Sequence, residues 1–331
     1  AYLASRDFTE PMFVFAIMVV AGSRAVLQLA RSLVNTIAGF VPLSGAMAFH
    51  FVTLAFVPLL GSLITEPAAM TLAAMILRDR IFALPGVSQK LKYATLGVLF
   101  VNVSIGGTLT PFAAPPVLMV AAKWNWDSWV MLTHFGWKAA VAVGVNALVT
   151  TLVFERELRA LPRSGNDDSS VNRLPGWVSV LHVLLLGGVV AFAHHPPVFL
   201  GLLLFFLGFA TAYPQYQDRL ILREGLLVAF FLAGLVVLGG QQQWWLEPLL
   251  RGMDSDTVYY GAAALTAVTD NAALTYLGSM VDGLSDEFKV ALVAGAVTGG
   301  GLTVIANAPN PAGFAILLHH FEDETIHPVG L

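Results

Sequence analysis

Runs of about 20 apolar residues, the length that spans a bilayer as a helix, organise this chain. Uninterrupted runs lie at 128–154, 176–193, 196–213 and 225–240, and another, 11–23, continues into a mixed stretch with Arg24, Arg31 and Asn35. Four further apolar regions, 45–78, 93–122, 256–282 and 287–318, are each interrupted by a cluster of Gly, Pro, Thr, Asn or acid. Breaks at membrane depth are tolerated only where the backbone is buried in protein or lines a wet cavity. The pattern predicts an all-α polytopic membrane protein in which the unbroken helices are scaffold and the broken ones hold the chemistry.

Composition agrees. The 331 residues are 57% hydrophobic and 11% charged, against about 25% charged in soluble domains, and the mean hydropathy is +0.75. With 17 Lys and Arg against 21 Asp and Glu, no basic face exists to bind nucleic acid. No P-loop, HExxH, GxSxG or CxxC pattern occurs; this argues against a nucleotide, a catalytic metal or a covalent nucleophile, so neither an enzyme nor a cofactor is expected. The partner is the lipid bilayer, and the expected location is the plasma (inner) membrane, crossed many times. Cations concentrate in three short connections, which marks them as cytoplasmic: Arg78, Arg80, Lys90 and Lys92; Arg156, Arg159, Arg163 and Arg173; Arg219 and Arg223. The alternate connections, 124–127, 194–197 and 241–256, are poorer in cations and read as external. Trp124, Trp126, Trp244 and Trp245 suit an interfacial belt.

The polar stretch 156–173 separates two halves that resemble each other twice. Ile64-Thr65-Glu66-Pro67-Ala68-Ala69-Met70-Thr71-Leu72 matches Val268-Thr269-Asp270-Asn271-Ala272-Ala273-Leu274-Thr275-Tyr276, with four identities and an acid at the same place. Gly106-Gly107-Thr108-Leu109-Thr110-Pro111 matches Gly300-Gly301-Leu302-Thr303-Val304-Ile305, and in both a proline, Pro115 or Pro309, stands eight residues after the second glycine. The loop after the first acid (78–92) reads as cytoplasmic and the loop after the second (282–289) as external. The halves are thus expected to be inverted repeats, a hallmark of secondary transporters. The first repeat is 1–155, with a re-entrant hairpin 45–78 whose tip is 61–67 and a broken helix 93–122. Residues 156–222 supply a cytoplasmic linker and two scaffold helices. The second repeat is 223–331, with a hairpin 256–282 and a broken helix 287–318. Ile326-His327-Pro328-Val329 looks like the start of a further span, so the natural chain is expected to continue beyond Leu331.

Glu66 and Asp270 carry the sharpest chemical signal, because a carboxylate at membrane depth is costly and is usually paired, protonated or functional. Burial favours the protonated form and a bound cation the ionised one, so one carboxylate holds either a proton or a hard cation such as sodium. Thr65, Thr269 and Asn271 add neutral oxygens beside the acids, and an oxygen-rich set suits a hard cation rather than a transition metal. The competing reading is that each acid only caps the helix that follows it. Asp270 is the stronger candidate, since Pro67 makes Glu66 look like a helix start. Asn102, Ser104, Thr108 and Thr110 in the first broken helix, and Thr303, Asn307 and Asn310 in the second, are further candidates, although Ser and Thr in membrane helices often bond their own backbone. His50, His134 and Lys138 read as structural. Arg24 and Arg31, seven residues apart on one helical face, and the stretch 241–253 read as interfacial arms bracing the hairpins.

The tips ITEPAAMTL and VTDNAALTYL, with NVSIGGTLTPFAAPP and GGGLTVIANAPNP, resemble the sodium/proton antiporters of the ion transporter superfamily. That superfamily also holds NhaD-type antiporters, arsenite permeases and dicarboxylate transporters. The resemblance implies two hairpins and two broken helices, a homodimer, and elevator-type alternating access in which a transport domain slides against a scaffold. Many relatives carry Ser-Asn-Thr at the tips; Thr65-Glu66-Pro67 and Thr269-Asp270-Asn271 stand here instead. Two acids would repel an anion, so sodium/proton exchange is favoured over coupled transport of a small organic or inorganic anion. An intramembrane enzyme and a passive subunit of a larger complex are weaker alternatives.

Overall fold

The computed structural model describes residues 2–161, 174–239, 241–327 and 330. Among these the regular structure is helical and no strand occurs. Two helices, α1 (Thr9–Ala21) and α2 (Arg24–Phe40), meet at a 65° bend. They are followed by α3 (Gly45–Ile64), α4 (Glu66–Leu77), α5 (Gln89–Gly106), α6 (Pro115–Trp124) and a long α7 (Ser128–Val153). Two shorter apolar helices come next, α8 (Gly176–Ala191) and α9 (Pro196–Ala212). The chain closes with α10 (Leu222–Gly239), α11 (Gln243–Arg251), α12 (Ser255–Thr266), α13 (Asn271–Ser279), α14 (Asp286–Gly299) and α15 (Asn310–Leu317). Among the described residues, three helices, α3, α7 and α10, are long and apolar enough to cross a membrane, or four spans if α1 and α2 count as one. The runs at 176–193 and 196–213, expected as full spans, form helices of 16 and 17 residues, each about 25 Å long at 1.5 Å per residue.

The break in the first acid region is narrower than its Gly61–Pro67 pattern predicts. Helix α3 runs through Gly61 to Ile64, and Thr65 alone separates it from α4. Gly61 serves packing instead of breaking the helix: a Cβ there would sit 3.1 Å from that of Ala69, where α3 meets α4. Proline at position 58 does cost α3 a bond, because it has no N–H to offer the carbonyl of Leu54. The buried Asn102 of α5 fills that place, donating from Nδ2 to Leu54 O (2.8 Å) and to Val143 O of α7 (3.2 Å). Its Oδ1 accepts from Asn146 Nδ2 (3.0 Å). Asn102 is therefore a structural tie between α3, α5 and α7, not a free ligand for an ion. Asn102→Leu is expected to leave the Leu54 carbonyl unsatisfied and to lower stability by about 1–3 kcal/mol, read as an earlier thermal unfolding transition in detergent.

The second acid region is arranged differently. Residues 267–270 separate α12 from α13, and α12 lies mainly against α14 while α13 packs on α6, α14 and α10. The α12–α14 contact is a small-residue seam. Gly295 and Gly299 of α14, four apart, face the carbonyls of Tyr259 and Ala263 of α12, also four apart, and a Cβ at either glycine would collide with that backbone. This is the close approach that a GxxxG spacing permits between membrane helices.

The halves interlock by exchange: α4 packs on α15 of the other half, and α13 packs on α6. Both glycine segments interrupt the helix: α5 ends at Gly106 and α6 starts at Pro115, while α14 ends at Gly299 and α15 starts at Asn310. Loops of like charge character also come together. Arg24 lies 3.9 Å from Asp218, Arg31 3.5 Å from Asp79, and Glu157 accepts from Ser88 N at 2.6 Å, which links the three cation-rich connections. Lys123 lies 3.8 Å from Asp282, and Lys289 Nζ stands 6.0 Å from the centre of the Trp124 ring, which joins two of the connections read as external. Val26, Ala30, Val34 and Ala38 form the buried stripe of α2, which packs on α3 and α4; α11 packs on α13. Of the expected linker, Glu155–Ala160 is a short helix, whereas 162–173, with Arg163 and Arg173, lie outside the described residues. Pro328 and Val329 of the expected further span lie outside them too; His327 N donates to Tyr93 Oη (3.0 Å).

Candidate functional site

The first tip is built on a strained residue. Thr65 has φ 76°, ψ 150°, a conformation that a β-branched residue adopts only when its surroundings enforce it, and such strain clusters at functional sites. The turn sets Glu66 as the first residue of α4, ahead of Pro67. Glu66 is wholly buried. Its Oε2 accepts from Asn307 Nδ2 (2.9 Å), and its Oε1 has no hydrogen-bond partner. Gly107 leaves the room this carboxyl group occupies, since a Cβ there would collide with Glu66 Oε1 and Cγ.

The second tip reaches the same place. Asn271 N donates to Ala306 O (3.0 Å), the residue before Asn307. Both tips therefore rest on the second break, Glu66 through Asn307 and Asn271 through Ala306. Asp270 also caps α13: its Oδ1 accepts from Ala272 N (2.8 Å) and Ala273 N (3.2 Å). The two acids thus divide the roles opposite to the sequence expectation. Asp270 does the capping, and Glu66 makes no side-chain cap bond to its helix.

Around them, buried polar atoms stand without partners: Thr65 Oγ1, Thr266 Oγ1, Asn307 Oδ1, Asn310 Oδ1 and both amide atoms of Asn271. Each such atom costs roughly 1–3 kcal/mol unless water or an ion satisfies it. Asn271 Nδ2 faces Gly300, as does the Ser104 hydroxyl, and a Cβ at that glycine would fill their space. Asn310 Nδ2 holds the carbonyls of Gly300 and Thr303 (2.8 Å each). Neutral oxygens and one free carboxylate oxygen suit a hard monovalent cation. Among the described residues, no group of three or more His, Asp or Glu could hold a metal ion.

Other candidate residues spend their hydroxyls on the backbone. Thr110 Oγ1 donates to Ser62 O (2.6 Å), Thr303 Oγ1 to Ala267 O (2.8 Å) and Thr108 Oγ1 to Ile105 O (2.7 Å). The first two lace each break to its neighbouring tip. Thr269 is exposed and donates to Leu265 O (2.9 Å). His50 is buried between Thr151 Oγ1 (2.8 Å) and Thr95 Oγ1 (3.0 Å). The hydroxyl of Thr151 donates to Ala147 O, so His50 Nδ1 carries the proton and donates to it. Lys138 lies near the ring of Trp137 and His134 Nδ1 near Val130 O, away from the tips.

Sequence reasoning passed over Ser62 and Thr266. Each stands four residues before its acid, so the repeat itself holds the signal. Ser62 Oγ donates to Gly106 O (2.7 Å) and accepts from Leu109 N (2.9 Å), pinning the first break to the first tip.

A buried carboxylate at a helix break, among unpartnered oxygens in an apolar helical chain, marks an ion transporter. Residues 1–331 match the family described as "Putative Na+/H+ antiporter", and the chain belongs to that family. No curated protein matches it. The family points to a transporter of the cation/proton exchange type rather than to an enzyme, with sodium and protons as the transported ions and no cofactor.

Proposed function

We propose that this protein exchanges sodium for protons across the membrane, with Glu66 as the carboxylate both ions share. Its unpartnered Oε1, held beside Asn307 at the meeting of both tips, carries the reading. Ionised, Glu66 takes sodium with neutral oxygens from Thr65, Asn307 and Asn271. Protonated, it lets the emptied site return. Asp270 adds negative charge to the pocket while ordering α13. Two acids disfavour an anionic substrate, so coupled anion transport is the weaker alternative.

The exchange of α4 and α13 between halves supports the inverted-repeat reading, the NhaD-like kinship and elevator-type movement. We extend these to a homodimer in the plasma membrane, as the kinship implies. One test is the pH dependence of sodium affinity in proteoliposomes. Protons and sodium compete for one ionised group, so affinity is expected to rise with pH, about tenfold per unit while the group is mostly protonated, and then to level off. A pH-independent affinity would overturn the shared carboxylate.

A further inference from the structure

A cavity of about 640 Å³ opens between α1, α8 and α6, on the face of Trp126, Asp127 and His194. That face lies opposite the cation-rich connections, so the cavity is external if those connections are cytoplasmic. Glu10, Asp127 and His194 line it. The cavity shares Phe112 and Leu118 with a much narrower crevice of about 10 Å³, which Thr65 and Pro67 of the first tip also line. Thr65 is 3% exposed, and its Oγ1 is buried without a partner. Two apolar side chains thus border both an open vestibule and the crevice that the strained tip lines.

We propose that this vestibule is the external access route to the Glu66 pocket and that Phe112 and Leu118 form its constriction. The vestibule takes hydrated monovalent cations, which Glu10 and Asp127 concentrate by charge. The constriction is apolar, so a cation must shed water or the side chains must move before it reaches Thr65. Phe112 sits on the break between α5 and α6, in a non-helical segment that can reorient without unwinding a helix. The inference rests on the exchange reading for the identity of the ion, but the route itself does not.

The chain contains no cysteine, so single cysteines report accessibility without background. A membrane-impermeant, positively charged methanethiosulfonate reagent is added to the external face of intact cells, and labelling rates are read by mass shift of the purified protein. Ala122→Cys, in the vestibule, is expected to label quickly from outside. Thr65→Cys is expected to label slowly, then roughly tenfold faster when combined with Phe112→Ala, the equivalent of about 1.4 kcal/mol off the barrier. Leu118→Ala is a second opening variant should Phe112→Ala fold poorly, and Phe112→Trp, a larger plug, is expected to slow Thr65→Cys further. Ala122→Cys failing to label from outside, or Thr65→Cys indifferent to residues 112 and 118, would overturn the route. The readout involves no flux. A labelling pattern as expected with no sodium/proton exchange by the cysteine-free protein would therefore defeat the exchange reading alone.

Discussion

Glu66→Gln is expected to give a folded, membrane-inserted protein that no longer couples sodium to protons. The amide keeps the size of the side chain and still offers an acceptor to Asn307 Nδ2, so the packing of α4 against α15 survives. It removes the charge at the pocket that, among the described residues, is not committed to capping a helix. Losing an ionised ligand from a buried site costs about 3 kcal/mol or more, roughly 100-fold or greater in sodium affinity. The measurement is sodium-induced collapse of an imposed pH gradient in proteoliposomes, with size-exclusion elution as the folding control. Wild-type exchange by a properly folded Glu66→Gln protein would remove Glu66 from the mechanism. Asp270→Asn makes the informative contrast. Its side-chain oxygen can still accept from the N-terminus of α13, so a smaller loss is expected there.

Gly299→Leu is expected to produce the largest loss of stability. Its side chain would have to enter space held by the carbonyl of Ala263 and by Thr266 on α12, and backbone cannot yield as a flexible side chain can. Overpacking of this kind costs about 1–3 kcal/mol in ordinary cores. More is expected here, because separating α12 from α14 also disturbs Thr266, beside the second tip. Fluorescence-detected size-exclusion of the detergent-extracted protein should show aggregated or vanishing material, whereas Gly261→Leu on α12, the partner helix of the seam, with open space around it, should elute normally. Equal behaviour of the two would mean that the seam does not hold the pair together.

Much of this was legible because membrane depth makes polar residues conspicuous. Glu66, Asp270 and the paired glycines stand out from apolar surroundings, and their repetition locates both helix breaks. What the pattern could not supply was the division of labour between the acids. Capping depends on whether the side chain folds back onto the N–H groups two and three residues ahead. The extended backbone of Asp270 (φ −79°, ψ 139°) permits that, and the positive φ of Thr65 turns Glu66 elsewhere. Asn102 shows the same limit. Pro58 announces a stranded carbonyl at Leu54, but which side chain reaches it is decided by how α5 crosses α3. Gly61 reads as a break in one dimension and acts as a contact in three. The GxxxG spacing of α14 has its own signal, obscured by the run of glycines directly after it.

The polar ties around α7 constrain where any large movement can occur. Asn102, Asn146 and the His50–Thr151 pair stitch α7 to α3 and α5, and breaking such bonds without water nearby would be expensive. A slip plane between α7 and the first tip is thereby disfavoured, although α7 is among the uninterrupted helices that the sequence assigns to the static frame. The surface of α1 has the opposite character. It packs Phe13, Ile17 and Val20 into one apolar cluster with Leu118, Met119 and Ala272 from α6 and α13. Oil against oil can shear without stranding a donor, so under the proposed elevator-type movement the bearing is expected to run there, with α7 riding as cargo.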